Sequence, residues 1–169
     1  MTDSENLLKA FHSFANLFEP IWFWKMDSAF HVLQSDCPHE SLFRSLLLRE
    51  GRREAIEAHI ATTDRPVCFT VPSMLSWIIG FAPEGGKIHN IYLVGPFFLD
   101  YKDPESSADR MAQTDLTQEA QAALQAALPT LPVLSSETLV QYAVILHYCI
   151  RQERLAPSEV VHYGARPKT

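Results

Sequence analysis

The chain has 169 residues, 47% of them hydrophobic and 20% charged, which is the balance of one globular domain rather than of a disordered segment. Its formal net charge of −6 argues against a nucleic-acid-binding surface, because phosphate recognition needs an excess of Lys and Arg on one face. Three scattered cysteines are too few for a disulfide framework, the N-terminus lacks a signal-peptide pattern, and no apolar run is long enough for a membrane span. We therefore expect a reduced, cytoplasmic protein with no membrane partner.

The first part of the chain predicts a helix followed by a hairpin. Apolar residues recur at three- and four-residue steps from Leu7 to Phe18, which indicates an amphipathic helix that begins at Ser4 and ends at Pro20. Residues 21–27 are aromatic and β-prone, and residues 30–34 follow after a polar link. We expect these two segments to form a hairpin with its turn at residues 27–29.

The middle of the chain predicts helices and then three strands. Residues 39–60 have apolar stripes typical of helices, interrupted at Gly51, where two helices meet. Strands are predicted at 67–71, 75–82 and 87–96, with a turn at 83–86 between the last two. Because a parallel crossover needs a dozen or more residues, these closely spaced strands are expected to run antiparallel.

The last third predicts a polar loop or short helix at 100–114, a helix at 115–128 and a long helix at 136–155. Asp115 and Gln118 have the spacing of a capping box at the start of the second of these elements. The complete order is helix, two strands, helices, three strands, helices. It predicts an α+β fold in which an antiparallel sheet of about five strands is flanked by helices, the layout of a PAS-like or GAF-like sensor domain.

Segments 66–69, 75–81 and 91–97, with helix 140–154, resemble the N-terminal sensory domain of bacterial transcription regulators that carry an AraC-type helix-turn-helix domain. The strand that ends in Val94-Gly95-Pro96-Phe97-Phe98 carries most of the likeness. The resemblance implies transcription regulation through ligand sensing or dimerisation, with DNA contacted only by a domain not present in this chain. We expect one sensory domain at 1–156 and, at 157–169, a tail or linker toward an output domain. The chain is then either part of a longer regulator or a stand-alone relative.

Aromatic residues on the predicted strands are the candidate ligand pocket. The selected residues are Trp24, Phe69, Trp77, His89 and Tyr92, because the strands place rings and one titratable group near the centre of the sheet. The competing interpretation is that the rings fill the core between sheet and helices. In the expected mechanism, an unknown small molecule held between sheet and helices favours one arrangement of the terminal helices.

The last predicted helix carries a candidate dimer interface. Its apolar side chains step by three and four residues at Leu139, Tyr142, Leu146 and Ile150. One interpretation is a homodimer or signalling helix, and the other is a helix that packs on its own sheet or on the first helix. A ligand-free dimerisation or protein-interaction module is therefore the alternative function.

No motif indicates an enzyme, a metal or a cofactor. The sequence has no Gly-x-Ser-x-Gly elbow, and Gly85-Gly86 lacks the residues of a P-loop and reads as a hairpin turn. Ser76 and Cys68 need a base within hydrogen-bond reach to act as nucleophiles, and the Cys37-Pro38-His39 pair lacks the partner motif of a zinc site. We therefore expect no catalytic residue, no metal and no cofactor. Gly95-Pro96 either shapes the mouth of a pocket or terminates its strand.

Overall fold

A computed structural model describes residues 3–49, 51–71, 75–84, 87–99 and 117–164, without the side chains of residues 83–89. The helices are α1 (Asp3–Ala15), α2 (Glu40–Leu48), α3 (Arg52–Thr62), α4 (Gln118–Ala127) and α5 (Ser136–Arg151). The strands are β1 (Phe23–Asp27), β2 (Val32–Ser35), β3 (Val67–Thr70), β4 (Leu75–Glu84), β5 (Lys87–Leu99), β6 (Val133–Leu134) and β7 (Val161–Gly164). Short 3-10 helices occur at Leu128–Thr130 and Pro157–Glu159. The predicted element at 100–114 lies outside the described residues.

One mixed sheet organises the molecule, with strand order β2-β1-β5-β4-β3-β7 and with β6 paired to β5. The five predicted strands are all present and each is antiparallel to its neighbours among them. The α+β prediction is confirmed, but the sheet has seven described strands rather than about five. It is also not purely antiparallel, because β6 runs parallel to β5 and β7 runs parallel to β3. Both missed strands are short, so neither shows the two-residue period that reveals a strand in a sequence.

Helices cover both faces of the sheet. We call the face that packs against α2, α3 and α4 the inner face, and the face that packs against α1 and α5 the outer face. Side chains alternate between the two along each strand, so that Trp77 and Ile79 belong to the inner core and Ile78 to the outer core. Because both faces of the sheet are covered, a central strand can be apolar along its whole length. Strand β3, for example, is buried at every residue.

The predicted hairpin is formed by β1 and β2. One carboxylate oxygen of Asp27 accepts hydrogen bonds from the backbone N–H groups of Ala29 and His31, both at 2.9 Å. These bonds lower the pKa of Asp27, with the His31 N–H as the largest cause. Phe30 takes a left-handed conformation (φ 65°) that turns its ring into the inner core. The turn therefore lies at the predicted position.

The helix boundaries largely follow the predicted signals. Gly51, with φ 81°, separates α2 from α3 as expected. The hydroxyl of Thr117 accepts a hydrogen bond from the N–H of Ala120 and caps α4, whereas Asp115 lies outside the described residues. Ser135 caps α5 in the same way by accepting from the N–H of Thr138. The last helix ends at Arg151 rather than at 155, because Gln152 adopts a left-handed conformation (φ 53°).

Strand β5 does not end at Gly95-Pro96 but continues to Leu99. Gly95 has φ 135°, and a Cβ atom there would lie 2.9 Å from the carbonyl oxygen of Ser76, so only glycine fits. The peptide bond between Gly95 and Pro96 is cis. Ser76 pairs with Phe97 and Ile78 pairs with Val94, so Trp77 stands opposite an irregularity at Gly95-Pro96. The expectation of a strand terminator was wrong, because a bulge absorbs the proline that a regular ladder would reject.

The segment expected to be a tail or linker contributes to the sheet. After the 3-10 helix Pro157–Glu159, strand β7 pairs in parallel with β3, placing Val161 beside Val67 and Gly164 beside Thr70. The ring of Tyr163 stacks on Phe69 with centroids 4.4 Å apart. Residues 161–164 are therefore joined to the domain by backbone pairing and by a ring contact.

Candidate functional site

Three of the five predicted pocket residues lie in the inner core. Trp24, Phe69 and Trp77 are 2%, 1% and 0% exposed, and they pack among the apolar side chains of α2, α3 and α4. Tyr92 belongs instead to the outer face, where it packs beside the core of α1 and α5. The side chain of His89 lies outside the described residues. The structure thus brings together Trp24, Phe69 and Trp77 and places Tyr92 on the other side of the sheet.

The two buried tryptophans differ in their polar contacts. The indole N–H of Trp24 donates to the carbonyl oxygen of Gly95 at 2.7 Å. The indole N–H of Trp77 is buried and has no hydrogen-bond partner within the described part of the chain. Both rings lie against the irregularity at Gly95-Pro96. Trp24 reaches it through its hydrogen bond to Gly95, and a Cβ atom built on Gly95 would be 3.1 Å from Cδ1 of Trp77. Trp24, Phe69 and Trp77 are therefore part of the inner core.

The predicted dimer residues are used within a single chain. Leu139, Leu146 and Ile150 are 1%, 0% and 6% exposed and pack on the outer face of the sheet and on α1. Tyr142 is half-buried, and its ring meets that of Phe11 edge-on at 5.4 Å. A seam between two copies requires exposed side chains, so this arrangement corresponds to the alternative interpretation, packing on the sheet and on the first helix.

Glycine at position 80 sets how closely α5 approaches the sheet. A Cβ atom there would lie 2.8 Å from Cδ1 of Ile150 and 3.1 Å from Cδ2 of Leu146. The helix therefore rests directly on the backbone of β4, and Gly80 pairs with Tyr92 on β5. This contact fixes α5 at one side of the outer face and leaves the part over β1 and β2 to α1.

A cleft of about 470 Å³ lies between α1 and the outer face of β1, β2 and β5. Its volume is in the range of small-molecule sites. The floor follows a cross-strand row, because Lys25 pairs with Gln34 on β2 and with Tyr92 on β5. The wall comes from one stripe of α1. The lining residues are Glu5, Leu8, Lys9, His12, Phe23, Trp24, Lys25, Leu33, Gln34 and Tyr92.

The charged groups of the cleft are loosely paired. The ammonium of Lys25 lies 3.8 Å from a carboxylate oxygen of Glu5, beyond hydrogen-bond distance, with side chains 27% and 42% exposed. The Lys25 ammonium makes no hydrogen bond to another described residue, and Lys9 has no acidic partner within the described part of the chain. Burial raises the pKa of the Tyr92 hydroxyl, and the negative charge of Glu5 raises it further. A hydrogen bond with the Asn90 side chain lowers the pKa, but by less. At neutral pH the hydroxyl is therefore protonated and able to donate.

One end of the cleft is closed by a more tightly held group. Nε2 of His12 lies 2.8 Å from Oδ2 of Asp36 and 3.2 Å from the carbonyl oxygen of Ile21. The imidazole also stacks on the ring of Phe23 with centroids 4.4 Å apart. Oδ1 of Asp36 accepts from the N–H of Phe23 at 2.9 Å, so that helix, strand and loop are tied together at this end.

The three cysteine thiols and the Ser76 hydroxyl are buried in the fold. Burial raises the pKa of Cys37 and Cys68 to about 12 and that of Cys149 to about 11, which keeps the thiols protonated. The hydroxyl of Ser76 is hydrogen-bonded to that of Thr70 at 2.8 Å inside the sheet. Within the described ranges, no group of three or more His, Cys, Asp or Glu side chains is placed to hold a metal ion.

Sequence reasoning missed most of the cleft residues. Glu5, Lys9 and His12 recur at helical spacing, and they form the polar stripe beside the apolar one that defined α1. Lys25 was the other available signal, since it is a charged residue in the middle of a strand, between the buried side chains of Trp24 and Met26. Nothing local connects this stripe to β5, because Glu5 and Tyr92 are brought together only by the folded sheet.

None of the helices in the part of the chain that the structure describes combines the length and apolar character needed to cross a membrane. No protein-family model matches the chain, and no curated protein and no solved structure matches it significantly.

Proposed function

We propose that this chain is a PAS- or GAF-like sensory and dimerising domain of a transcription regulator, and that its small-molecule signal binds in the cleft beneath α1. The order of elements and the antiparallel path β2-β1-β5-β4-β3 support the sensor-like layout. The observation that carries the proposal is the cleft itself, since it is of ligand size and lies under a terminal helix. Its location differs from the enclosed inner site suggested by the aromatic strands.

The contacts of α1 supply a route from the cleft to α5. The hydroxyl of Ser4 donates to the carbonyl oxygen of Ile150 at 3.1 Å and accepts from the amide of Gln152 at 3.1 Å. The thiol of Cys149 meets the carbonyl oxygen of Leu7 at 3.6 Å. A ligand that repositions α1 therefore changes the packing at the C-terminal end of α5. A population shift of this kind requires a ligand that binds one helix arrangement more tightly than the other.

Thermal-shift screening of the purified chain against a library of metabolite-like compounds tests the proposal. A compound that binds the folded chain raises the melting temperature, and the stabilisation grows with the logarithm of its concentration relative to its Kd. The variant Gln34→Trp fills the cleft and should abolish the response. The matched control Gln118→Trp places the same ring on α4, on the other side of the sheet, and should retain it. A library without any stabilising compound, or equal responses from both variants, contradicts ligand sensing in the cleft.

A ligand-free interaction module is the second candidate, and one observation favours it. Phe14, Leu17 and Phe18, near the C-terminal end of α1, are 58%, 77% and 67% exposed. Adjacent exposed apolar side chains are typical of protein–protein contacts, and a second copy of the chain is the simplest occupant. Light scattering tests it, because Leu17→Asp should convert a dimer to a monomer. A monomeric wild-type chain would contradict this role for the surface.

A further inference from the structure

The cleft beneath α1 has features that select one class of ligand, and the inference rests on the proposed sensory function. We infer that the cleft binds a small organic carboxylate, whose carboxylate group is held by Lys25 and Tyr92 and whose apolar body lies against Leu8 and Phe23.

The polar half of this site is the row formed by Lys25 and Tyr92. The two residues are cross-strand partners on the outer face, so their side chains stand next to each other on the floor. The Lys25 side chain is 27% exposed, and among the described residues its ammonium has the Glu5 carboxylate, 3.8 Å away, as its acidic neighbour. A carboxylate at hydrogen-bond distance binds an ammonium more strongly than an ion pair separated by 3.8 Å does.

The charge of the lining favours a monoanion. Lys9 and Lys25 exceed Glu5 by a single positive charge, and the His12 imidazole is already held by Asp36. A dianion such as a phosphate monoester would leave a negative charge facing Glu5 with too little compensation. A cationic ligand would be repelled by both lysines. A carboxylate that displaces Glu5 from Lys25 balances the site.

The apolar half of the site determines what the body of the ligand, beyond its carboxylate group, can be. Leu8 on α1 is 8% exposed, and the ring of Phe23 is fixed between His12 and Phe11, with centroids 4.4 and 5.3 Å away. At the rim, the exposed side chain of Leu33 extends this surface. The lining therefore matches an aromatic or medium-length aliphatic acid rather than a sugar acid, which would leave its hydroxyl groups facing apolar walls.

The test uses the whole chain and three matched pairs of probes: phenylacetate, 3-phenylpropionate and octanoate, each with its primary amide. Binding is followed by backbone amide NMR shifts. At least one carboxylate should shift the resonances of β1, α1 and residues around Tyr92, and its amide should bind at least about tenfold more weakly, the ratio expected for a lost charged hydrogen bond.

Three variants add independent readouts. Lys25→Met should weaken binding of the carboxylate by about tenfold or more. Glu5→Gln should strengthen it by roughly threefold, because the competing charge on Lys25 is removed, and a merely structural role for Glu5 predicts no gain. Arg65→Met, which removes an exposed charge paired with Glu159 near the opposite edge of the sheet, should leave the affinity unchanged. If Lys25→Met fails to fold, Glu5→Gln and the amide comparison still decide the question.

The outcomes separate this inference from the proposed function. Amides that bind as well as their acids, or a neutral or cationic compound that proves to be the cleft's best ligand, would overturn the carboxylate assignment and leave sensing in place. Acids that shift only the inner-face helices, or that do not bind at all, would also overturn it. Loss of the proposed function itself requires the library screen to find no ligand at the cleft.

Discussion

The indole N–H of Trp24 donates a 2.7 Å hydrogen bond to the carbonyl oxygen of Gly95, which joins the inner face of β1 to the irregular point of β5. A buried carbonyl without a donor costs about 1–3 kcal/mol. We therefore expect Trp24→Phe to lower the free energy of unfolding by about 2 kcal/mol, measured by urea denaturation. Trp22→Phe, at a half-buried neighbouring position, is the control and should cost less. Equal losses in the two variants would show that ring volume, rather than the hydrogen bond, determines the effect.

The close approach of α5 to β4 depends on the absence of a side chain at Gly80. An added Cβ atom would press on Cδ1 of Ile150 at 2.8 Å, and overpacking of this kind typically costs about 1–3 kcal/mol. We expect Gly80→Ala to destabilise at the lower end of that range, because the contacted atom is the flexible tip of the isoleucine. Ile150→Val removes that atom, so the double variant should recover most of the loss. Additive losses in this double-mutant cycle would place the strain elsewhere.

Alternation in the strands and three- and four-residue steps in the helices were enough to predict the α+β order and the five antiparallel strands. They fail where the deciding information is not local. An apolar stripe such as Leu139 to Ile150 looks the same whether it covers its own sheet or another copy, and only the position of α5 over Gly80 distinguishes the two. The cleft is non-local for the same reason, since Glu5, Lys25 and Tyr92 come from three separate elements. The pairing of β7 with β3 depends on tertiary packing that a four-residue strand does not encode.

Neighbouring residues on α5 should respond in opposite ways to a negative charge. Leu146 is 0% exposed between α5, β4 and α1, whereas Ile145 is 39% exposed. An unpaired carboxylate in the core is strongly unfavourable, so we expect Leu146→Asp to abolish the cooperative unfolding transition in circular dichroism. Ile145→Asp should remain folded, with a change in stability of about 0.5 kcal/mol or less. A folded Leu146→Asp chain that merely dissociates from dimer to monomer would restore the predicted dimer seam.

The imidazole of His59 links stability to pH. Its Nε2 atom lies 2.7 Å from the carbonyl oxygen of Arg65, and its ring meets Phe81 edge-on at 5.9 Å. Burial lowers the pKa of His59 below its usual 6.5, against the effect of the hydrogen bond to Arg65. The unfolded chain therefore takes up this proton first as the pH falls. The neutral His59 ring contributes to the free energy of unfolding above about pH 6.5. This stabilisation is lost as the pH falls from there toward the lowered pKa that His59 has in the folded chain.

Urea unfolding between about pH 8 and pH 5 measures this linkage. The free energy of unfolding of the wild-type chain should fall more steeply toward acid pH than that of His59→Gln, because glutamine cannot take up the proton. Above about pH 7.5 both chains should show parallel curves, since the imidazole is then neutral whether folded or unfolded. Other titrating groups are common to both proteins, so the difference between the two curves isolates His59. Curves that stay parallel at acid pH would mean that the ring titrates alike in the folded and unfolded states, and that its packing against Phe81 does not oppose protonation.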